Sequence, residues 1–238
     1  MPQDISGYDV GALLYCPANA HHTVAQAVAA ERLPRPFSLA LCLEDTVRAD
    51  ALAAAEQAVE QTLHDLTDAA RQETFYRPLT FVRVRSPEQL ARLGRAYGKY
   101  RPLLTGFILP KFFIETCGAY CAVIRDLQAD GLDYFYMPVF EAPSMLPLHT
   151  RHAALAEVKA QLDALRECIL NIRVGGNDLC HVFGLRLDPG HTIYDLRPVA
   201  DVLTDLLTTF APDYLVAGPV WEYYDGPGWA EGLAQECA

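Results

Sequence analysis

Two carboxylates, Glu141 and Asp178, each close a short apolar run, and neither has a His or Cys partner at ligand spacing. Such a pair suits a hard, oxygen-preferring cation such as Mg²⁺, which takes one or two protein carboxylates plus waters and substrate oxygens. In the segment Gly175-Gly176-Asn177-Asp178-Leu179, paired glycines allow the backbone to pass close to a ligand and free Asn177 and Asp178 to point inward. An ordinary turn with Asn and Asp in turn positions is the plainer alternative. Arg83 lies inside an apolar run between Val82 and Val84, and alternation places Phe81, Arg83 and Arg85 on one face. A guanidinium there must be paired. Its partner is either a substrate carboxylate or phosphate, or the acidic pair Glu44 and Asp45, and the two are compatible if the pair holds the arginine for a ligand.

Lys111, after Leu109-Pro110, is read as electrostatic or structural rather than as a Schiff-base lysine, because nothing marks it as desolvated. His21 and His22 read as solvent-facing loop residues, while His181, near Asp178, stays open. Cys117 and Cys121 are spaced CxxxC without the second pair or His that a zinc site needs. Nucleophile-elbow, Walker, dinucleotide and HExxH patterns are all missing, which argues against serine hydrolases, P-loop enzymes, Rossmann dehydrogenases and zincins.

The elements that must position these residues are seven strand-like runs: 12–16, 39–43, 80–84, 107–109, 134–140, 171–174 and 215–217. Between them run longer amphipathic stretches, with Leu52, Val59, Leu63 and Leu66 on one face, then Leu155, Val158, Leu162 and Leu165, then Val202, Leu206 and Phe210. Pro198 and Pro212 bracket the last of these. This alternation predicts an α/β fold with a parallel sheet, and a TIM-type (β/α)8 barrel leads over an open doubly wound sheet. Charges follow the strand ends: Glu44 and Asp45, Arg83 and Arg85, Lys111, Glu141, Asp178, Glu222. A barrel would gather them on one rim, whereas an open sheet would spread them along an edge.

Composition narrows the class. Nineteen basic against thirty acidic residues, a net charge of −11, argue against nucleic acid or an anionic membrane as partner. The expected partner is a small-molecule oxo acid bound in a local basic pocket. Seven scattered cysteines read as reduced thiols, and with no targeting signal or apolar run of ~18 residues the expectation is cytoplasmic.

With these residues in view, the chain resembles the HpcH/HpaI aldolase and citrate lyase β-subunit family of carbon–carbon bond lyases. Leu43-Glu44-Asp45-Thr46-Val47 is similar to the family's Leu-Glu-Asp-Ala-Val, and Arg83-Val84 to its Arg-Val-Asn. Leu109-Pro110-Lys111 matches Leu-Pro-Lys, Glu141-Ala142-Pro143 resembles Glu-Thr-Pro, and Gly176-Asn177-Asp178-Leu179 matches Gly-x-Asp-Leu. The wording of 173–179 and 218–223 is most similar to the branch found beside tellurium-resistance genes. The resemblance implies a TIM-like barrel with Mg²⁺ on Glu141 and Asp178, and an enolate formed in a retro-aldol or retro-Claisen cleavage. It implies Arg83 on the substrate carboxylate and the developing oxyanion. Glu44 and Asp45 join Arg83 as candidate catalytic residues, and Arg85, Lys111, Gly176 and Asn177 are candidates for the substrate side. Arg85 replaces the family's Asn, which predicts a more cationic pocket and a substrate with an additional anionic group. The family's closing Gly-Lys-x-x-x-His-Pro stretch, associated with CoA-type substrates, is absent, which speaks against CoA. A catalytically degenerate barrel serving in binding or assembly is the alternative.

Successive strand ends fall about 34 residues apart, so eight units would need roughly 270 residues, above both the ~250 typical of the fold and the 238 present. The expectation is one barrel domain over 1–238, with 1–8 and 225–238 as peripheral tails and the eighth strand-helix unit lacking. Unclosed strand edges predict that the chain self-associates as a homo-oligomer or is marginally stable alone.

Overall fold

The computed structural model describes residues 5–33, 36–72, 74–188 and 191–218. Seven strands form one parallel sheet in sequential order: β1 (Leu13–Pro17), β2 (Ser38–Cys42), β3 (Thr80–Arg83), β4 (Leu104–Leu109), β5 (Phe135–Phe140), β6 (Ile172–Val174) and β7 (Val216–Ala217). The helices are α1 (His21–Ala29), α2 (Leu52–Gln72), α3 (Pro87–Ala96), α4 (Cys117–Ala129), α5 (Leu148–Asp163), α6 (Gly176–Val182) and α7 (Arg197–Phe210). At least one helix stands between each pair of consecutive strands. Parallel strands in sequential order, each joined to the next by a helical crossover, place the helices on one face and curl the sheet about the other.

Strand alternation therefore separates two cores. Leu39, Leu41, Val82, Val84, Phe107, Leu109, Tyr136 and Phe140 pack outward among the helices. Ala40, Phe81, Ile108, Phe135, Met137 and Val139 fill the inside of the curl. The helices present matching stripes. In α2 the buried residues are Ala55, Val59, Thr62, Leu63 and Leu66, and in α4 they are Cys117, Tyr120, Cys121, Ile124 and Leu127. Both follow the spacing of one helical face. The CxxxC pair is thus part of a core stripe, and burial pushes both thiols up, Cys121 to about 11. Helix α3 starts where the sequence provides a cap: the Ser86 hydroxyl accepts from the Gln89 N–H, and Pro87 occupies the first turn.

All seven predicted strands are present within a few residues of their expected positions. His21 and His22 open α1 instead of lying in a loop, and the Gly176–Val182 segment forms a short helix instead of a turn. Glu222 lies outside the described residues. Among those described, no helix is long and apolar enough to cross a membrane.

Candidate active site

Because the strands are parallel, their C-terminal ends share one rim, and the last inward residues of β2, β3, β5 and β6 converge there. Arg83, the final residue of β3, lies at the centre. Its Nη1 is 2.9 Å from Asp45 Oδ2, and its Nη2 is 2.9 Å from Glu44 Oε2 and 3.0 Å from Glu141 Oε1. The Tyr15 ring lies 5.9 Å from the guanidinium carbon. Three carboxylates around one buried arginine hold it permanently charged. Its Nε–H has no hydrogen-bond partner among the described residues.

Glu141, immediately after β5, is 3% exposed. Its Oε1 accepts from Arg83 Nη2 and from the Lys111 backbone N–H at 3.1 Å. Lys111 has a positive φ of 50°, and that left-handed turn presents the N–H to the carboxylate. Glu141 also shares a hydrogen bond with the Asp178 carboxyl. Burial, opposed by Arg83 but reinforced by Asp178, raises the Glu141 pKa from its ordinary 4.5 to about 7. A carboxyl in a poorly solvated place beside a second carboxylate keeps its proton to a higher pH in this way.

Gly175 makes room for this contact. A Cβ at that position would lie 2.0 Å from Glu141 Oε2 and 2.5 Å from Glu141 Cβ. The first of the paired glycines therefore admits a protein carboxylate, and it lines the cavity as well. Gly175→Ala should displace the Glu141 side chain and destabilise the fold by about 1–3 kcal/mol. Urea denaturation measures this, and an unchanged midpoint would mean that the carboxylate relocates freely.

A cavity of about 230 Å³ opens against this cluster, lined among others by Tyr15, Asp45, Arg83, Glu141, Gly176, Asn177 and Asp178. The sequence-predicted residues separate accordingly. Arg83, Asp45, Glu141, Gly176, Asn177 and Asp178 face the cavity, while Glu44 stands behind as a partner of Arg83. Burial raises the pKa of Glu44, to which Asp45 is hydrogen-bonded. Lys111 Nζ donates to Glu44 Oε1 at 2.7 Å, and this pairing keeps the ammonium protonated with its pKa raised, against the demands of a Schiff-base nucleophile. Arg85 takes a different place from the one alternation assigned. Strand β3 ends at Arg83, and the Arg85 guanidinium donates to the backbone carbonyls of Leu43, Glu44 and Val47. It braces the β2–α2 connection and is not among the residues that line the cavity. Sequence reasoning missed Tyr15, Cys42, Thr46, Val139 and Arg173, all of which line it. The signal for Arg173 was available: Ile172-Arg173-Val174 repeats the apolar flanks of Arg83.

A parallel, sequentially ordered barrel sheet with an acidic and basic cluster at its strand ends defines the molecule as a TIM-barrel protein of the enzyme type. The chain belongs to the family of carbon–carbon bond lyases of the TIM-barrel fold, whose sequence profile matches residues 4–238. It is therefore a lyase by family, and the resemblance noted from its motifs is borne out. No curated protein matches it. Among solved structures it is similar to the citrate lyase β subunit from M. tuberculosis complexed with oxaloacetate and magnesium, at 20% identity and a TM-score of 0.59, covering 96% of this chain and 86% of that one. A second structure, CitE from Mycobacterium tuberculosis with magnesium, acetoacetate and coenzyme A, gives 20% identity and a TM-score of 0.61, covering 94% and 70%. RipC from Yersinia pestis follows at 15% identity and a TM-score of 0.58, covering 97% and 84%. At these identities the likeness bears on the fold.

Proposed function

We propose that the chain is a Mg²⁺-dependent lyase or aldolase that cleaves or forms a carbon–carbon bond in a small oxo acid. The observation carrying this reading is the Glu141–Asp178 contact, set against a charged Arg83 in one small cavity at the strand ends. The donor set fits a hard divalent cation. Two oxygen ligands lie together, with Glu141 holding a proton that a cation would replace, no third His, Cys, Asp or Glu joins them among the described residues, and the open cavity leaves room for water and substrate oxygens. When bound there, such a cation supplies Lewis acidity to the oxo group and to the charge that develops as the bond breaks.

The remaining work belongs to the chain itself. Arg83, which lines the cavity, binds the substrate carboxylate and stabilises the developing oxyanion with a charge fixed in advance by Glu44, Asp45 and Glu141. Arg83 thus needs little reorganisation during the reaction. Asp45 lines the cavity and is hydrogen-bonded to Glu44, whose pKa burial has raised. The pair is placed to accept or return one proton at the substrate hydroxyl. A cavity of about 230 Å³ lies below the ~300 Å³ at which drug-sized pockets begin, which favours a small acid over a CoA thioester. The neighbours solved with magnesium, oxaloacetate and acetoacetate support the same class.

Calorimetric titration of Mg²⁺ tests the proposal. Wild type should bind, and Asp178→Ala should weaken binding at least tenfold. Equal binding by both proteins, or none by either, would remove the metal-dependent mechanism and leave a barrel that binds without catalysing.

A further inference from the structure

Arg83 is encircled by carboxylates, and Arg85 and Lys111 are bound to the backbone and to Glu44. The cavity nevertheless has a second guanidinium in its wall, that of Arg173 on β6. The Arg173 backbone belongs to the sheet, but among the described residues its guanidinium forms no ion pair and no hydrogen bond. An inward-facing, half-buried guanidinium without a counter-charge is costly, so it stands where an anion is expected to arrive. Val139 is the β5 register partner of Arg173, and each lies two residues before the site positions Glu141 and Gly175 on its own strand. Two residues of strand rise about 6.5 Å. Arg173 therefore lies deeper in the curl than the Glu141–Asp178 pair, by a distance that a short carbon chain spans.

Tyr15 joins it from β1. Its hydroxyl has no hydrogen-bond partner among the described residues, and it lines the same cavity. Burial pushes the phenol up, which keeps it a donor, and of the two guanidiniums that pull it back Arg173 outweighs Arg83.

We infer that Arg173 and the Tyr15 hydroxyl form a subsite for a second anionic group of the substrate, and that the substrate is a small dianionic oxo acid. This rests on the proposed metal–oxo-acid reading for the position of the first carboxylate, but the anion subsite can be tested without it. The additional anionic group expected from Arg85 thus meets a different arginine, two residues before the site glycines.

The test compares oxaloacetate with pyruvate, which share a 2-oxo-carboxylate head and differ by one carboxylate, in calorimetric titrations at fixed Mg²⁺. Wild type should prefer oxaloacetate by tenfold to a hundredfold, the range of one charge-assisted contact. Arg173→Gln should abolish that ratio, Arg173→Lys should restore part of it, and Tyr15→Phe should lower it severalfold. Removing an uncompensated charge should leave the fold intact, which a thermal melt checks. A wild type without preference, or an Arg173→Gln variant that keeps it, would overturn the inference. If neither oxo acid binds, the metal reading has failed, and malonate without Mg²⁺ decides the subsite alone. Weaker malonate binding in Arg173→Gln than in wild type supports it, and equal or undetectable binding in both overturns it.

Discussion

Arg83→Leu should destabilise the protein by about 3–5 kcal/mol at pH 8, the cost of leaving buried carboxylates without their counter-charge. Three acidic groups depend on this guanidinium, at 2.9, 2.9 and 3.0 Å. Glu44 and Glu141 are largely shielded, with side-chain exposures of 10% and 3%, whereas Asp45, at 51%, retains water and contributes less. The loss should shrink as the pH falls towards 5, because the stranded carboxyls can then take up protons and become neutral. Arg83→Lys should fall between the two: the charge remains, but an ammonium cannot present a planar fork to three partners. Urea denaturation at pH 5, 6.5 and 8 distinguishes the cases. A loss below about 1 kcal/mol that does not change with pH would show that the cluster is not one electrostatic unit.

The same cluster shows where the sequence was legible and where it was not. Strand positions and the sequential parallel order follow from apolar runs of the right length separated by amphipathic segments, and that pattern is local. The Arg83 environment was half legible. Apolar flanks announced an interior arginine and the two acids of the preceding strand end were named as partners, but the third, Glu141, arrives from two strands away. Helix α4 is hard to read from the sequence because its stripe is made of cysteines and a tyrosine as well as Ile124 and Leu127, and cysteine spacing first suggests metal chemistry. Arg85 was misplaced for a conformational reason. Alternation holds only while the strand lasts, and β3 ends two residues earlier, so the side chain turns back to the carbonyls of the β2–α2 connection. The role of Gly175 depends on a contact between strands β5 and β6, which no local pattern announces.

The Glu141–Asp178 pair makes metal affinity and stability depend on pH in opposite directions. Glu141 is raised from 4.5 to about 7. Between those values the native protein therefore holds a proton that the unfolded chain has lost. Stability of the metal-free protein should fall as pH rises through this window, by up to about 3 kcal/mol, because the unfolded state binds fewer protons there. Glu141→Gln, which keeps the shape without the titration, should flatten that slope. Mg²⁺ requires the pair deprotonated, so its affinity should climb nearly tenfold per pH unit below 7 and level off above. Binding should release close to one proton at pH 6, about half at pH 7 and about a tenth at pH 8, which calorimetry in buffers of different ionisation enthalpy measures directly. Proton release that stays constant across this range would mean that no carboxyl of the pair titrates near neutrality. The competition between proton and cation for one pair of oxygens would then be absent, and Glu141 would not hold a proton at neutral pH in the metal-free protein.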